Sequence, residues 1–219
     1  MREGTNLLVE HYHKTFEVVL SVWEQRNRTF LILLAVVGAA TLLTFNVPQA
    51  QPLLVDLLAK LLSLESEQRR QELRTSLPYG LLQTILLMVV LYLTLILYHR
   101  TAFISRTYRY LESLEAEIRT GLEIPNECVA FSREGKYYWS RRPILAKAVW
   151  ACFVGMLGIL LAAFLGARVS NDFATGNLWF AVVDLVLSIP TLLFFLAYAF
   201  SSASDELLRK LLKRGAGAA

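Results

Sequence analysis

The sequence predicts an all-α integral membrane protein with four transmembrane helices, both termini in the cytoplasm and a small cytoplasmic layer of helix plus hairpin. The first observation is composition. Hydrophobic residues make up 55% of the 219 residues and charged residues 18%, and the mean hydropathy is +0.46. One soluble core cannot bury that much apolar surface, so the excess must face lipid. This excludes a soluble enzyme, a disordered chain and a secreted disulfide scaffold.

The second observation is a set of four apolar stretches, each long enough as a helix to cross a hydrocarbon core of about 30 Å. The predicted transmembrane helices cover residues 29–47, 80–98, 144–167 and 178–200. The remaining segments are a cytoplasmic amphipathic helix (1–28), an external amphipathic loop (48–79), a cytoplasmic helix and hairpin insert (99–143), a short external loop (168–177) and a cytoplasmic basic amphipathic tail (201–219).

The third observation is the distribution of basic residues, which sets the orientation. Of the 22 lysine and arginine residues, 17 lie in the two terminal segments and in or next to the 99–143 insert, and 5 lie in the two other loops. Because cytoplasmic loops carry an excess of basic residues, both termini and the insert are predicted to be cytoplasmic. We expect a multi-pass protein of a bacterial inner (plasma) membrane.

The N-terminal segment and the first loop both carry helical periodicity. In 1–28, apolar residues such as Tyr12, Phe16 and Val19 recur at helical spacing and predict a helix that runs into the first span. In the loop, the leucine-rich run 52–64 is too short to span a membrane. It predicts a helix that lies on the outer surface or packs on a neighbour.

The insert and the tail are predicted to build the cytoplasmic layer. Helical period continues from the second span through 101–122, and Gly121 and Pro125 predict its end. The pattern of residues 129–140 then predicts a short β-hairpin. The tail has a leucine stripe and four basic residues, which predicts a helix on the inner leaflet or on the cytoplasmic part of the fold.

The third span carries a ridge of small residues at three- and four-residue steps. Such a ridge lets helix backbones approach closely. Packing within the chain is favoured over packing on another subunit. The ridge residues are Ala151, Gly155, Gly158, Ala162 and Gly166.

No catalytic, metal or cofactor signature is present, so we expect neither an enzyme nor a bound cofactor. The serine-elbow, zincin, Walker and Rossmann patterns are all missing from the sequence. His11 and His13 are two residues apart and point to different sides of a helix. Cys128 has no neighbour spaced for zinc. Nucleic acid is not expected as a partner, because no binding motif accompanies the basic charge.

The informative residues are polar and lie within the spans. Asp184 is about 10 Å inside the fourth span, at 1.5 Å per residue. A carboxylate there costs about 2.5–3.5 kcal/mol, so it should face protein or water. Ser188 and Thr191 follow on the same helix face, and further polar residues near that level are Thr41, Thr44, Gln83 and Arg168. Two interpretations remain open: a path for ions or protons, or interhelical hydrogen bonding that includes an Arg168–Asp184 pair.

Four spans leave little room for a substrate site in one protomer, so function is expected to come from assembly. The primary hypothesis is a homo-oligomeric channel or membrane-perturbing effector, gated through the cytoplasmic layer. The alternative is a non-conducting membrane sensor or anchor that docks a cytosolic protein through residues 99–142. The expected partners are the lipid bilayer, other copies of the chain and that cytosolic protein. The predicted partner surface is formed by Arg133, Glu134, Lys136, Tyr137, Tyr138 and Trp139.

Overall fold

The computed structural model describes residues 2–45, 60, 79–125, 128, 130–131, 144–174, 176 and 178–216, with side chains in the last helix described as far as Ser201. Four long helices account for most of these residues, and no strand occurs among them. The helices are α1 (Arg2–Phe45), α2 (Tyr79–Gly121), α3 (Ile144–Ala174) and α4 (Leu178–Ala216).

All four helices are long and apolar enough to cross a membrane, which confirms the predicted four candidate spans and, for the described residues, the predicted helical fold. Helix α1 has 44 residues and α2 has 43. At 1.5 Å per residue each is about 65 Å long, roughly twice the thickness of a hydrocarbon core. Both helices therefore extend well beyond any membrane that their apolar halves cross.

Contacts within the chain divide it into two compact units. The first unit contains Met1–Phe30, Ile96–Val154 and Ala197–Ala219, and the second contains Leu31–Leu95 and Gly155–Leu196. The second unit holds most of the apolar stretches and the first holds most of the polar segments.

Apolar side chains of the second unit point both inwards and outwards. Buried residues such as Leu33, Leu87 and Leu161 form its interior. Large apolar side chains on the outer surface are exposed; Leu42 and Trp179, for example, are each 74% exposed. A helix that is apolar on all sides is typical of a membrane span, where the outer face contacts lipid tails.

In the first unit, the N-terminal part of α1 packs antiparallel to the C-terminal part of α2. Tyr12 lies beside Glu115, whereas Thr29, further along α1, lies beside Arg100, earlier in α2. The shared core consists of Tyr12, Val19, Ile104, Leu111, Leu114 and Ile118. These residues recur at helical spacing, so each helix buries one stripe against the other.

Polar contacts hold both ends of this pair. The buried Tyr12 Oη donates to Glu115 Oε1 at 2.9 Å. Arg100 Nη1 donates to the Gln25 carbonyl at 2.8 Å and to the Thr29 hydroxyl. An arginine that binds a helix carbonyl and a hydroxyl together fixes the relative register of the two helices.

Helix α2 ends at Gly121, where the chain turns through Glu123 with a φ of 52°. Arg119 stabilises this turn, because its Nη1 donates to the carbonyls of Cys128 and Ala130 at 2.9 Å and its Nη2 to that of Pro125 at 3.0 Å. The predicted hairpin at 129–140 and the predicted helix at 52–64 lie outside the described residues, apart from Lys60, Ala130 and Phe131.

Helix α3 continues to Ala174, whereas the sequence placed a loop from residue 168 onward. No proline or glycine follows Gly166 until Gly176, which has the positive φ of 71° that favours glycine. Arg168 and Asp172 also form an i,i+4 pair that stabilises the last turns.

Candidate functional site

The described part of the second unit contains a buried polar cluster centred on Arg168. Arg168 is 1% exposed and Asp184 is 0% exposed. Arg168 Nε lies 2.6 Å from Asp184 Oδ2, and Arg168 Nη1 lies 2.6 Å from Asp172 Oδ1. Helix α3 therefore supplies the cation and one carboxyl, and α4 supplies the second carboxyl.

Helix α2 completes the cluster with uncharged groups. Arg168 Nη1 donates to Gln83 Oε1 at 2.5 Å, and its Nη2 donates to the Gly80 carbonyl at 3.2 Å. Thr84 Oγ1 donates to Asp184 Oδ1 at 2.8 Å. Three helices are thus joined through a single guanidinium, which can donate five hydrogen bonds.

Pairing of opposite charges lowers the free-energy cost of burying this cluster in an apolar unit. A charged side chain within a membrane costs about 2.5–3.5 kcal/mol on insertion scales. Removing one partner of a buried ion pair costs about 3–5 kcal/mol, because the remaining charge has no compensation. We call the five residues that carry these contacts the buried cluster: Gln83, Thr84, Arg168, Asp172 and Asp184.

Four other polar residues predicted from the sequence are buried but bind mainly their own helices. Ser188 donates to the Asp184 carbonyl at 2.6 Å, and Thr191 to that of Leu187 at 2.7 Å. Thr44 donates to the Ala40 carbonyl. Hydroxyl bonds to the carbonyl four residues earlier are ordinary in apolar helices and need no ligand.

Thr41 also contacts a different helix. Its hydroxyl donates to the Val37 carbonyl at 2.7 Å and lies 3.4 Å from the Leu160 carbonyl of α3. The structure therefore brings Gln83, Arg168 and Asp184 together, and it places Thr41 at a contact between α1 and α3.

Sequence reasoning did not assign Asp172 to the site, and it placed Thr84 near the level of Asp184 without predicting a contact between them. Asp172 was placed in an external loop, because the third span was ended at Ala167. Its spacing of four residues from Arg168 was the signal that could have found it. Thr84 is adjacent to Gln83, but its contact with Asp184 depends on how α2 and α4 pack, which spacing does not determine.

The small-residue ridge of α3 divides into two parts. A Cβ atom on Gly158 would come within 3.1 Å of the Phe195 ring, so Gly158 packs on α4. The other ridge residues, Ala151, Gly155, Ala162 and Gly166, are exposed. A Cβ atom on Gly155 or Gly166 would meet nothing within 4 Å among the described residues. Most of the ridge is therefore open to another molecule.

The predicted partner surface at 133–139 lies outside the described residues. The neighbouring part of the insert on α2 is described, and it exposes residues at steps of three and four. This exposed stripe consists of His99, Phe103, Arg106, Tyr110, Ser113 and Glu117. The aromatic rings of Phe103 and Tyr110 are 39% and 47% exposed.

No family model matches the chain, and neither a curated protein nor a solved structure is significantly similar to it. The assignment of a function therefore depends on the chain's own residues.

Proposed function

We propose that the chain is a non-conducting membrane anchor or sensor subunit whose first unit docks a cytosolic protein. One observation supports the proposal that the chain does not conduct ions. Asp184, the carboxylate deepest in a span, is 0% exposed and binds Arg168 and Thr84 of the same chain. A residue that lines a conducting path must contact water. The side chain of Asp184 instead makes contacts with the neighbouring helices.

We also propose the orientation and the membrane. The apolar parts of all four helices cross a bacterial inner membrane, with both termini and the 99–143 insert in the cytoplasm. The support is the uneven distribution of lysine and arginine, 17 against 5, between the two sides.

The proposed docking surface is the exposed stripe of α2. Its half nearest the span combines two aromatic rings with Arg106, and Arg109 is exposed beside it. No acidic residue occurs between His99 and Tyr110. This chemistry fits a protein that presents acidic side chains around an apolar patch, because aromatic residues and arginine are the usual anchors of such interfaces.

A second function, the homo-oligomeric channel or membrane-perturbing effector, has one observation in its favour. The exposed part of the α3 ridge can admit the helix of another copy at close distance. An assembled pore would then be lined by surfaces other than the buried cluster.

Ion flux through liposomes separates the two functions. Purified protein reconstituted at defined density should give no flux above that of protein-free liposomes, with an ionophore as positive control. Asp184→Asn should behave identically. Cation flux in the wild type that falls in a well-assembled Asp184→Asn variant would reject our proposal in favour of the channel.

Docking is tested by photo-crosslinking in cells. A photoreactive phenylalanine in place of Phe103 should crosslink to one discrete protein. Arg106→Glu should abolish that crosslink and Arg106→Lys should preserve it, since an acidic partner requires positive charge at this position. The matched control carries the photoreactive group at Leu185, an exposed residue of α4 that we expect to face lipid. Crosslinks to lipid alone at residue 103 would rule out the docking surface.

A further inference from the structure

The charged residues of the first unit are separated along the axis of the α1/α2 pair. The two helices are antiparallel in this unit, so residues 19–30 of α1 are level with residues 96–110 of α2. These two segments adjoin the apolar stretches of their helices and contain five arginines and one glutamate. The distal segments, 2–18 and 111–121, contain six glutamates, two arginines and one lysine. We call the first five arginines the arginine collar: Arg26, Arg28, Arg100, Arg106 and Arg109.

Members of the collar differ in the contacts that they make within the chain. Arg100 joins α1 to α2 through the contacts described above. Arg26 is half-buried, with its Cζ 5.6 Å from the centroid of the Trp23 ring and its Nη2 donating to Asn27 Oδ1 at 2.8 Å. Arg28, by contrast, is exposed and forms no hydrogen bond or ion pair among the described residues. Its guanidinium is therefore available to a group from outside the chain.

The face of α1 that carries Arg28 becomes apolar within one turn. Leu31 and Ile32 follow it on the same face and are 60% and 44% exposed. No charged residue occurs between Arg28 and Phe45 at the end of the helix. Arg28 lies about 5 Å along the helix axis from Leu31, at 1.5 Å per residue. This distance is close to the thickness of one headgroup layer, about 5–7 Å, so the face presents a cation and then apolar side chains in the order of a phospholipid's phosphate and acyl chains.

An arginine at this level selects negatively charged phospholipids over zwitterionic ones. A guanidinium binds a phosphate through two parallel hydrogen bonds. The surrounding arginines strengthen the attraction to an anionic leaflet, and they repel the ammonium group that a zwitterionic lipid carries beside its phosphate. Trp23 is exposed at the same end of α1, and tryptophan is enriched at the headgroup level of membranes.

We propose that the arginine collar binds the headgroups of anionic phospholipids, with Arg28 on the exposed face of α1 as the residue that contacts the phosphate. Lipid selection of this kind goes beyond the proposed function, and it holds whether or not the chain conducts ions or docks a protein. Arg28 is not part of the exposed stripe of α2. The binding of anionic lipid is also independent of the side of the membrane on which the first unit lies.

Lipid retention measures this selection. The protein is reconstituted into vesicles of equal amounts of phosphatidylglycerol and phosphatidylcholine with identical acyl chains and is extracted again in mild detergent. The retained phospholipids are then counted by mass spectrometry. The wild type should retain several-fold more phosphatidylglycerol than phosphatidylcholine. Arg28→Gln should lower this ratio by up to about fivefold, the contribution of one basic residue near an anionic surface, and Arg28→Lys should preserve most of it. The matched control is Lys14→Gln, because Lys14 lies in the distal segment of α1 and pairs with Glu10; it should leave the ratio unchanged.

A second variant tests the sign of the electrostatic effect. Glu24 is the one acidic residue at the level of the collar, and it is exposed. Glu24→Gln should therefore raise the retained ratio, an increase that a purely structural role of this turn does not predict. The wild-type ratio should fall in about 1 M salt, where the Debye length shrinks to about 3 Å. A wild-type ratio near one would overturn the proposal. Equal ratios in the wild type and in an Arg28→Gln variant with the same unfolding temperature would also overturn it, and Arg28 would then face water or a protein.

Discussion

At the residue scale, Arg168 is the central residue of the buried cluster. Its guanidinium contacts two carboxyls, one amide and one backbone carbonyl on three helices. An arginine is suited to this position because its planar fork donates in several directions and its charge persists in an apolar environment. The same geometry makes the cluster sensitive to loss of the guanidinium.

We predict that Arg168→Met lowers the free energy of unfolding by about 3–5 kcal/mol, because two buried carboxyls lose their cation. Asp184→Asn should cost far less, since the amide still accepts from Thr84. The measurement is thermal or denaturant unfolding in detergent. The combined variant Arg168→Met, Asp172→Asn, Asp184→Asn should recover part of the loss. Equal stability of Arg168→Met and the wild type would show that the cluster does not stabilise the fold.

A second prediction concerns the Tyr12–Glu115 contact in the first unit. Tyr12→Phe keeps the ring in the core but removes the hydroxyl that donates to the buried Glu115. We expect a loss of about 1.5–3 kcal/mol, the usual range for a hydrogen bond to a charged group. Tyr110→Phe is the matched control, because the Tyr110 hydroxyl contacts His11 at an exposed position and should cost less than about 1 kcal/mol. Similar losses for the two variants would argue against a special role of the buried contact.

At the scale of the element, α3 has two faces with different surroundings. Its inward side carries Arg168 and Asp172, and Gly158 packs against Phe195 of α4. Its outward side carries the remaining small residues of the ridge, which are exposed. The sequence predicted the ridge but not this division, since the direction in which a helix face points is determined by the packing of its neighbours.

We predict that the exposed glycines mediate self-association. Gly155→Leu and Gly166→Leu should each dissociate the oligomer while the protomer remains folded, because a Cβ atom at either position meets nothing within 4 Å among the described residues. Native mass spectrometry in mild detergent measures the stoichiometry. Met156→Leu, an exposed substitution on α3 away from the ridge, should leave it unchanged. A wild type that is monomeric under these conditions would count against assembly through this face.

At the scale of the whole molecule, the two units differ in how they are stabilised. The first unit has a helix pair with a shared apolar core and polar contacts at its ends. The second unit has apolar side chains on its inner and outer surfaces and a charged centre. This contrast is expected for a chain that is partly in water and partly in lipid, because only water drives the burial of apolar surface.

The orientation can be tested in a variant with Cys128 and Cys152 replaced by serine. Ser66→Cys should then react with a membrane-impermeant thiol reagent in intact spheroplasts, since the loop 48–79 is predicted to be external. A cysteine within 126–136 should react only after permeabilisation. The reverse pattern would invert the proposed topology.

Much of the fold could be predicted from composition and charge, and less of the site. Four apolar stretches of sufficient length indicate four helices, because unpaired backbone groups are too costly in lipid for any other local structure. A polar residue such as Asp184 within a span requires a partner, and Arg168 was one candidate. The contribution of Asp172 could not be predicted once the third span had been ended before it. The contacts of Thr84 and Gln83 depend on rotations of α2 about its axis, which the sequence pattern does not specify.

The Arg168–Asp184 contact also constrains how the chain enters a membrane during synthesis. Helix α3 emerges first, and on its own it would bring an arginine to an apolar environment without its full set of partners. Helix α4 follows after residues 175–177, and it brings Asp184 within reach as soon as the two helices lie side by side. Insertion of α3 and α4 as one helical hairpin is therefore favoured over insertion one helix at a time. A pause in synthesis after α3 has left the ribosome but before Asp184 has done so would give an intermediate in which Arg168 lacks its partner on α4.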